Sequence, residues 1–225
     1  MPEETIGKIK KRMTLTKREN EIKRKYNEEP KEIVQKYIEE KMDISIPAVM
    51  IGYKDNNVNP NDVRKDLALQ IIGDILFGKC SDFYEKLYNK GYIISPPSFN
   101  YEFSKTYAHF LIQVQTDYID EVFNIYSEQI EYLKKYGIDD NKFERAKKKV
   151  YGELIRDFND VSDIATIIVS EYFKGISPFD YIDNINSVNK EYVQKIFEEI
   201  FVEEMKVISV IKPNKEEKDE SNKIS

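Results

Sequence analysis

The sequence is poor in the residue types that most often carry catalytic chemistry. Its 225 residues include one cysteine, one histidine and no tryptophan. A single cysteine cannot form a disulfide within the chain, which indicates a reducing, cytoplasmic setting. A zinc hydrolase binds its metal through three protein ligands, usually including a pair of histidines. We therefore predict that this chain alone holds no metal, no other cofactor and no catalytic residues.

Glycine, long apolar runs and excess positive charge are also scarce. None of the eight glycines forms a GxGxxG or P-loop pattern, which excludes the common glycine-rich phosphate loops. No run of 18 apolar residues exists, so no membrane span is predicted. The net charge of −6 argues against general affinity for nucleic acid. The N-terminal stretch MPEETIGKIKKRM lacks the apolar core of a signal peptide.

Hydrophobic spacing predicts an α+β fold with a mostly antiparallel sheet and helices packed on one face. The run 31–42 is ambiguous between helix and strand, and pairing with the following run favours a strand. The other predicted strands are 44–54, a pair whose second member lies near 106–115, and 205–212. The predicted helices span 63–77, about 82–89, 118–135, 139 onward with a continuation over 164–172, and a stretch after Asn189.

The chain divides into three parts by composition. Residues 1–27 form a basic segment that we predict to be helical, with nine Lys/Arg and two Glu between Lys8 and Lys25. This segment is either a solvated surface helix or a site for an anionic partner. Residues 28–213 form one predicted domain, and residues 214–225 a polar, disordered tail.

The stretch ILFGKCSDFYEKLYNKGYII, residues 75–94, raises the question of a reactive thiol. Gly78 is predicted to end a helix in the left-handed conformation, and Ser81 or Asp82 to cap the next helix. A cysteine at a helix N-terminus can gain thiolate character, but a small packing residue is the favoured interpretation of Cys80. His109 is interpreted as a strand residue whose imidazole hydrogen bonds are satisfied by neighbouring residues.

Tyrosine is abundant, with sixteen residues. Tyr84, Tyr88 and Tyr92 recur every four positions and are predicted to share one face of the short helix and its exit. Such a stripe can be a peptide-binding face, or it can fill the core of a protein without tryptophan. Tyr88 and Tyr92 are the candidates for facing a substrate or partner.

Several segments together resemble a known family. They are PAVMIGYKD, LALQIIGDILFGKCSDFYEKLYNKG, EYLKKYGIDDNKFERAKKKVYGEL and VISVIKP. Leu76 to Gly78 and Ser81 to Leu87 match an LFG-x-x-S-x-L-(Y/F)-x-x-L element, and Gly137 to Lys148 resembles G-I-T-x-x-E-(F/L)-x-(R/K)-A-K. The pattern is similar to the C-terminal domain of the pitrilysin, insulysin and mitochondrial-processing-peptidase family of zinc peptidases. It is most similar to bacterial paired-subunit members, over about residues 28–213.

The chain departs from the family at its functional positions. Members cleave peptides with an HxxEH zinc site in their N-terminal half, and that motif is absent here. Many members also hold substrate with an arginine and a tyrosine from the C-terminal half. The arginine position falls at Tyr88, and the tyrosine position at Ile94, or at Tyr92 if a gap shifts it. By the same resemblance, we expect the chain to begin after the first strand and helix of the complete family domain.

The resemblance implies a non-catalytic C-terminal domain of a zinc-dependent peptidase, inactive alone. It would form part of the substrate chamber and contact a catalytic half or partner subunit that carries HxxEH, with zinc in the complete enzyme and a peptide as substrate. A homodimer remains open. The alternative is a degenerate, non-peptidase interaction or scaffold module of the same fold. An independent enzyme using Cys80 or His109 is a third, minor alternative.

Overall fold

The computed structural model describes residues 7, 8, 25 and 29–214 of the chain. Residues 7 and 8 are helical and residue 25 is not; the other residues up to residue 28, which include most of the predicted helical segment 1–27, and the predicted tail beyond 214 lie outside the described residues. The strands are β1 (Tyr37–Met42), β2 (Ala48–Asp55), β3 (Ser98–Phe103), β4 (Ala108–Gln115) and β5 (Lys206–Pro213). The helices are α1 (Val63–Phe77), α2 (Asp82–Asn89), α3 (Ile119–Tyr136), α4 (Asp140–Arg156), α5 (Val161–Lys174), α6 (Pro178–Ile185) and α7 (Lys190–Ile200).

The five strands form one mixed sheet in the order β1-β5-β2-β4-β3. All neighbours are antiparallel except β1 and β5, which run parallel with Tyr37 opposite Ile208. The predicted α+β class and mostly antiparallel sheet are therefore confirmed. The strand in 31–42 is also confirmed, but its predicted partner is wrong. The last strand of the chain lies between β1 and β2, because antiparallel β5 pairs with β2 from Ala48 to Tyr53 and leaves β1 only the other edge of β5.

Alternation along the strands places the helices on one face of the sheet. In β2, Val49, Ile51 and Tyr53 are buried, whereas Met50 is 37% exposed on the opposite face. In β4, Phe110 and Ile112 are buried in the same layer as the β2 residues. A strand buried on one face alone has this period of two, which fixes the register of the sheet.

Helix α1 lies at the centre of the helical layer. Thirteen of its 15 residues are buried, and Asp62 caps its N-terminus by accepting a hydrogen bond from the backbone N–H of Lys65. Gly73 faces the sheet, because a Cβ at this position would lie 2.2 Å from the ring of Phe99. The helix therefore packs at close range on β3 as well as on its helical neighbours.

The turn after α1 corrects one conformational prediction. Gly78 is extended, with φ −65° and ψ 165°, and is not left-handed. Glycine is needed here for a different reason: a Cβ would lie 2.5 Å from the carbonyl oxygen of Asp74. Ser81 then caps α2 by accepting from the backbone N–H of Tyr84, and Gly91, with φ +70°, follows its end.

A buried ion pair ties the end of β2 to α1. Lys65 Nζ donates to Asp55 Oδ2, and both side chains are almost completely buried. The hydroxyl of Tyr101 on β3 donates to the same oxygen at 2.7 Å. Burial of two charges is tolerated only when their hydrogen bonds are satisfied, so this cluster fixes the relative position of the three elements.

Within the described residues, no helix combines the length and apolar character needed to cross a membrane.

Candidate functional site

The two tyrosines predicted to face a substrate or partner lie on either side of one turn. Tyr88 is in the last turn of α2 and is 55% exposed, with its ring stacked on Tyr84 at a centroid distance of 5.5 Å. Tyr92 follows Gly91 and is half-buried, and its ring contacts that of Tyr118 in a tilted arrangement with the centroids 4.7 Å apart. The turn thus divides the predicted tyrosine stripe into two pairs.

Each pair has one member against the core and one exposed member, Tyr88 or Tyr118. Tyr84 and Tyr92 pack against the hydrophobic core, and the carbonyl oxygen of Tyr92 accepts from Thr116 Oγ1 at 2.6 Å. Tyr88 has an accessible ring and hydroxyl. Ile94, the second position at which the family carries a clamp residue, is 81% exposed. If the tyrosine position falls at Ile94, both positions implied by the resemblance reach solvent, with a phenol in place of the usual arginine and a sec-butyl side chain in place of the tyrosine. If it falls at Tyr92, the tyrosine is present but half-buried.

Cys80 lies in the loop between α1 and α2 and is exposed. The interpretation of this residue as a small packing group is therefore wrong. Its backbone carbonyl accepts from Arg145 Nη2 of α4 at 3.0 Å, so the main chain at this position has a structural contact. The side chain stays outside because the turn is closed by the buried residues on either side, Gly78 and Ser81.

His109 lies on the sheet face opposite the helices. Its Nε2 is 4.0 Å from Glu102 Oε2, and its ring stacks on Tyr107 at 5.9 Å. Within the described part of the chain, no three His, Cys, Asp or Glu side chains are grouped so as to hold a metal ion. A protein zinc site needs three or four such ligands, so the residues described here do not fit the zinc of the resembled peptidases.

The sequence did not predict the most exposed apolar surface, which lies on α5. Of the 14 residues of α5, one is buried, Glu171. Val169 is 55% exposed, Tyr172 76% and Phe173 78%. Val161, Ala165, Ile168 and Tyr172 are spaced by four, three and four residues, which is the spacing of a helix that packs against another helix. The apolar spacing predicted a helix over 164–172 but gave no sign that one of its faces is exposed.

Comparisons with known proteins agree with this architecture. The sequence model of the family described as "Peptidase M16 inactive domain" matches residues 2–150. A Bacillus subtilis (strain 168) protein described as an uncharacterized zinc protease, YmfH, is 28% identical over 197 residues, which is 85% of this chain and 45% of that protein.

Two solved structures share the fold over nearly the whole chain. An M16-like peptidase from Alicyclobacillus acidocaldarius has a TM-score of 0.84 at 23% identity, covering 95% of this chain and 52% of its own. A protease from Helicobacter pylori has a TM-score of 0.77 at 19% identity, covering 95% and 53%. The chain thus spans about half the length of these relatives. Since the family model matches well over half of the 225 residues, the chain belongs to the family of peptidase M16 inactive domains.

Proposed function

We propose that this domain is the non-catalytic half of a zinc-dependent peptidase and works by pairing with a catalytic half that carries HxxEH. The two halves would enclose a peptide between them, and zinc would be bound by the catalytic half alone. The single cysteine supports a reducing, cytoplasmic setting for the assembly.

The observation that carries the proposal is the exposed apolar surface of α5. Monomeric proteins rarely leave a contiguous group of large apolar side chains in water, and such groups mark protein contacts. Ile168, Val169, Tyr172 and Phe173 form this group within two turns of one helix. The relatives named above are about twice as long as this chain, so a second half of similar size is the partner that supports this assignment.

Tyr88 and Tyr92 are proposed to face the peptide. Tyr88 presents an accessible phenol at the position where the resembled peptidases use arginine. A tyrosine ring supplies apolar contact area together with one hydrogen-bonding group, which suits an extended peptide backbone. Tyr92 is held by Tyr118 and supports the turn that positions Tyr88.

The test is reconstitution of the purified chain with an HxxEH-bearing M16 chain from the same source. We expect the two chains to co-elute in size-exclusion chromatography, and the mixture to cleave a quenched fluorescent peptide that neither chain cleaves alone. Tyr172→Glu with Phe173→Glu should abolish co-elution, because two carboxylates would be buried without partners at the contact. Tyr136→Glu is the matched control, since Tyr136 is 63% exposed on α3, away from α5.

Absence of a complex between the unmodified chains would overturn the proposed pairing, and co-elution of the Tyr172→Glu, Phe173→Glu variant would overturn the assignment of α5 as the contact surface. Complex formation without peptide cleavage would instead support the scaffold alternative. Tyr88→Ala should leave co-elution intact and raise KM, because it changes the surface proposed to face the peptide and leaves α5 unchanged.

A further inference from the structure

Strand β1 gives the sheet an edge with which no other strand of the described chain pairs. It is the last strand in the sheet order, and all six of its residues are exposed. On its paired side, the carbonyl oxygen of Lys36 accepts from the backbone N–H of Ile208. Successive residues of a strand direct their backbone groups to opposite sides, so the even-numbered residues of β1 face β5. The residues whose backbone groups face the open edge are Tyr37, Glu39 and Lys41.

A groove of about 730 Å³ lies beside this edge, between the strands β1 and β5 and the start of α3. The apolar residues that line it are Tyr37, Pro47, Ile119, Phe123 and Ile208. Two alternate residues of β1, Tyr37 and Lys41, both line the groove, so it borders one face of this strand. A strand added beside β1 would direct every second side chain to the same face, and therefore towards the groove.

The part of the groove formed by α3 and the residues before it is acidic. Its carboxylates belong to Asp117, Asp120 and Glu121. The strands contribute two cations to the lining, Lys41 and Lys212. The charge of Lys212 is offset by Glu39, whose Oε1 is 3.0 Å from Lys212 Nζ. Carboxylates are therefore in excess, which favours a basic side chain in the groove.

We propose that β1 and this groove bind an extended segment of the peptide substrate, which adds a strand to the sheet and places a lysine or arginine side chain against the acidic wall. Backbone hydrogen bonds to β1 would supply affinity, and the groove would select the side chain. Tyr118 lies between the lining residues Asp117 and Ile119 and contacts Tyr92, so the groove continues the surface proposed to face the peptide. The inference rests on the proposed function for the source of the peptide, whereas every group of the site belongs to this chain.

The charges of β1 disfavour a second copy of this chain as the occupant. Glu39 and Glu40 are at the centre of the six-residue strand. An antiparallel pair of two β1 strands would bring these carboxylates close to the same residues of the other copy. Like charges opposite each other destabilise a strand pair, and charged edge strands resist self-association for this reason. A peptide with a basic residue meets the opposite charge.

The first test uses two extended peptides of the same length and different charge. One is a short peptide of alternating threonine and valine with a lysine at its centre, and the other has norleucine in place of the lysine. Each is titrated into the isotopically labelled full chain at pH 7.5 and low salt, and binding is followed by amide chemical shifts in NMR. We expect the lysine peptide to bind at least about tenfold more tightly, with shifts concentrated in residues 37–42 and 117–123, because norleucine lacks the ammonium group.

Backbone pairing is tested separately from charge. Two analogues of the lysine peptide carry N-methyl groups on alternate amides, one analogue for each of the two possible sets. One analogue should bind at least about tenfold more weakly and the other should retain its affinity, because only every second N–H of an added strand faces β1. Equal affinities of the two analogues would overturn strand addition.

Two double variants of α3 locate the basic side chain. Asp120→Asn with Glu121→Gln should remove the preference for the lysine peptide. Glu128→Gln with Glu131→Gln removes the same charge from exposed positions of α3 outside the groove and should retain the preference. Thermal denaturation checks that each variant is folded. Equal affinity of the unmodified chain for the two peptides, a preserved preference in the first variant, or the same loss in the second would each overturn the proposal.

Failure of this inference is distinguishable from failure of the proposed pairing. Co-elution with a catalytic half, without a preference for the lysine peptide, would overturn the groove site and keep the pairing. Preferential binding to the isolated chain without co-elution would keep the groove site and overturn the pairing. In the reconstituted mixture, Asp120→Asn with Glu121→Gln should raise KM for a quenched peptide that contains lysine and leave co-elution unchanged. An unchanged KM would overturn the assignment of the site to the substrate.

Discussion

Helices α1 and α5 have similar sequences and opposite environments. VRKDLALQIIGDILF and VSDIATIIVSEYFK are both rich in β-branched and other apolar residues, and both begin after an aspartate that caps the helix. Helix α1 buries 13 of its 15 residues between the sheet and the other helices, whereas α5 buries one of 14. An apolar helix therefore needs a partner, but its sequence does not reveal whether the partner is its own chain or another molecule.

The largest expected loss of stability comes from breaking the buried ion pair between Lys65 of α1 and Asp55 of β2. Lys65→Met would leave the Asp55 carboxylate buried with Tyr101 and the backbone N–H of Asn57 as its donors. We expect a loss of about 3–5 kcal/mol in the free energy of unfolding, measured by urea denaturation. Lys86→Met, which removes one partner of an exposed pair with Glu128, should cost less than about 1 kcal/mol. Equal losses would mean that the buried pair does not fix α1 on the sheet.

Truncation of one isoleucine in each helix tests the comparison directly. Ile72 of α1 is fully buried and Ile168 of α5 is 47% exposed. Ile72→Ala should lower the free energy of unfolding by about 2–5 kcal/mol, because it leaves a cavity in the core. Ile168→Ala should change it by no more than about 0.5 kcal/mol in the isolated chain. A large loss of unfolding free energy from Ile168→Ala would show that α5 is packed in solution, which would contradict the difference in environment between α1 and α5.

The carboxyl group of Asp66 makes the stability of the domain depend on pH. Its folded-state pKa of about 6 lies above its ordinary value, so the folded protein retains a proton that the unfolded chain releases. Stability from this group is present below about pH 4 and is lost as the pH rises through about 6, by an amount on the order of 3 kcal/mol. Asp66→Asn should remove that contribution, so the variant should gain stability relative to wild type between pH 4.5 and pH 7.5. A constant difference between the two proteins over this range would contradict the assignment.

The smallest expected effect concerns the end of α5. Gly175 is in the left-handed conformation, with φ +82°, so Gly175→Ala should cost about 1–2 kcal/mol if α5 unfolds together with the rest of the domain. Gly152→Ala, within α4 and with open space around its Cα, should instead stabilise by about 0.5–1 kcal/mol. Thermal denaturation measures both. No effect of Gly175→Ala on the global transition would show that α5 unfolds separately from α1.

Local features were predicted well because they depend on neighbours in the sequence. The helix predicted after Asn189 is α7, and Asn189 caps it by accepting from the backbone N–H of Tyr192. Gly137 follows the end of α3 with φ +73°. The strand positions followed from alternation of apolar residues, and the zinc-peptidase resemblance followed from turn and packing motifs. Tyr88 and Tyr92 were correctly placed at the end of α2, and their role in facing a peptide stays a prediction.

The sequence by itself determined six of the seven labelled helices and the face that β2 and β4 bury, since spacing and backbone preferences act over a few residues. It did not reveal α6, which begins at Pro178 directly after the predicted break. Tertiary structure alone decided that β5 lies between β1 and β2, that the side chain of Cys80 is exposed, and that the outer face of α5 has no partner among the described residues. It also brought Asp66 and Glu171 to one cavity from positions 105 residues apart in the chain (171 − 66). Such contacts follow from how whole elements pack, and no local pattern encodes them.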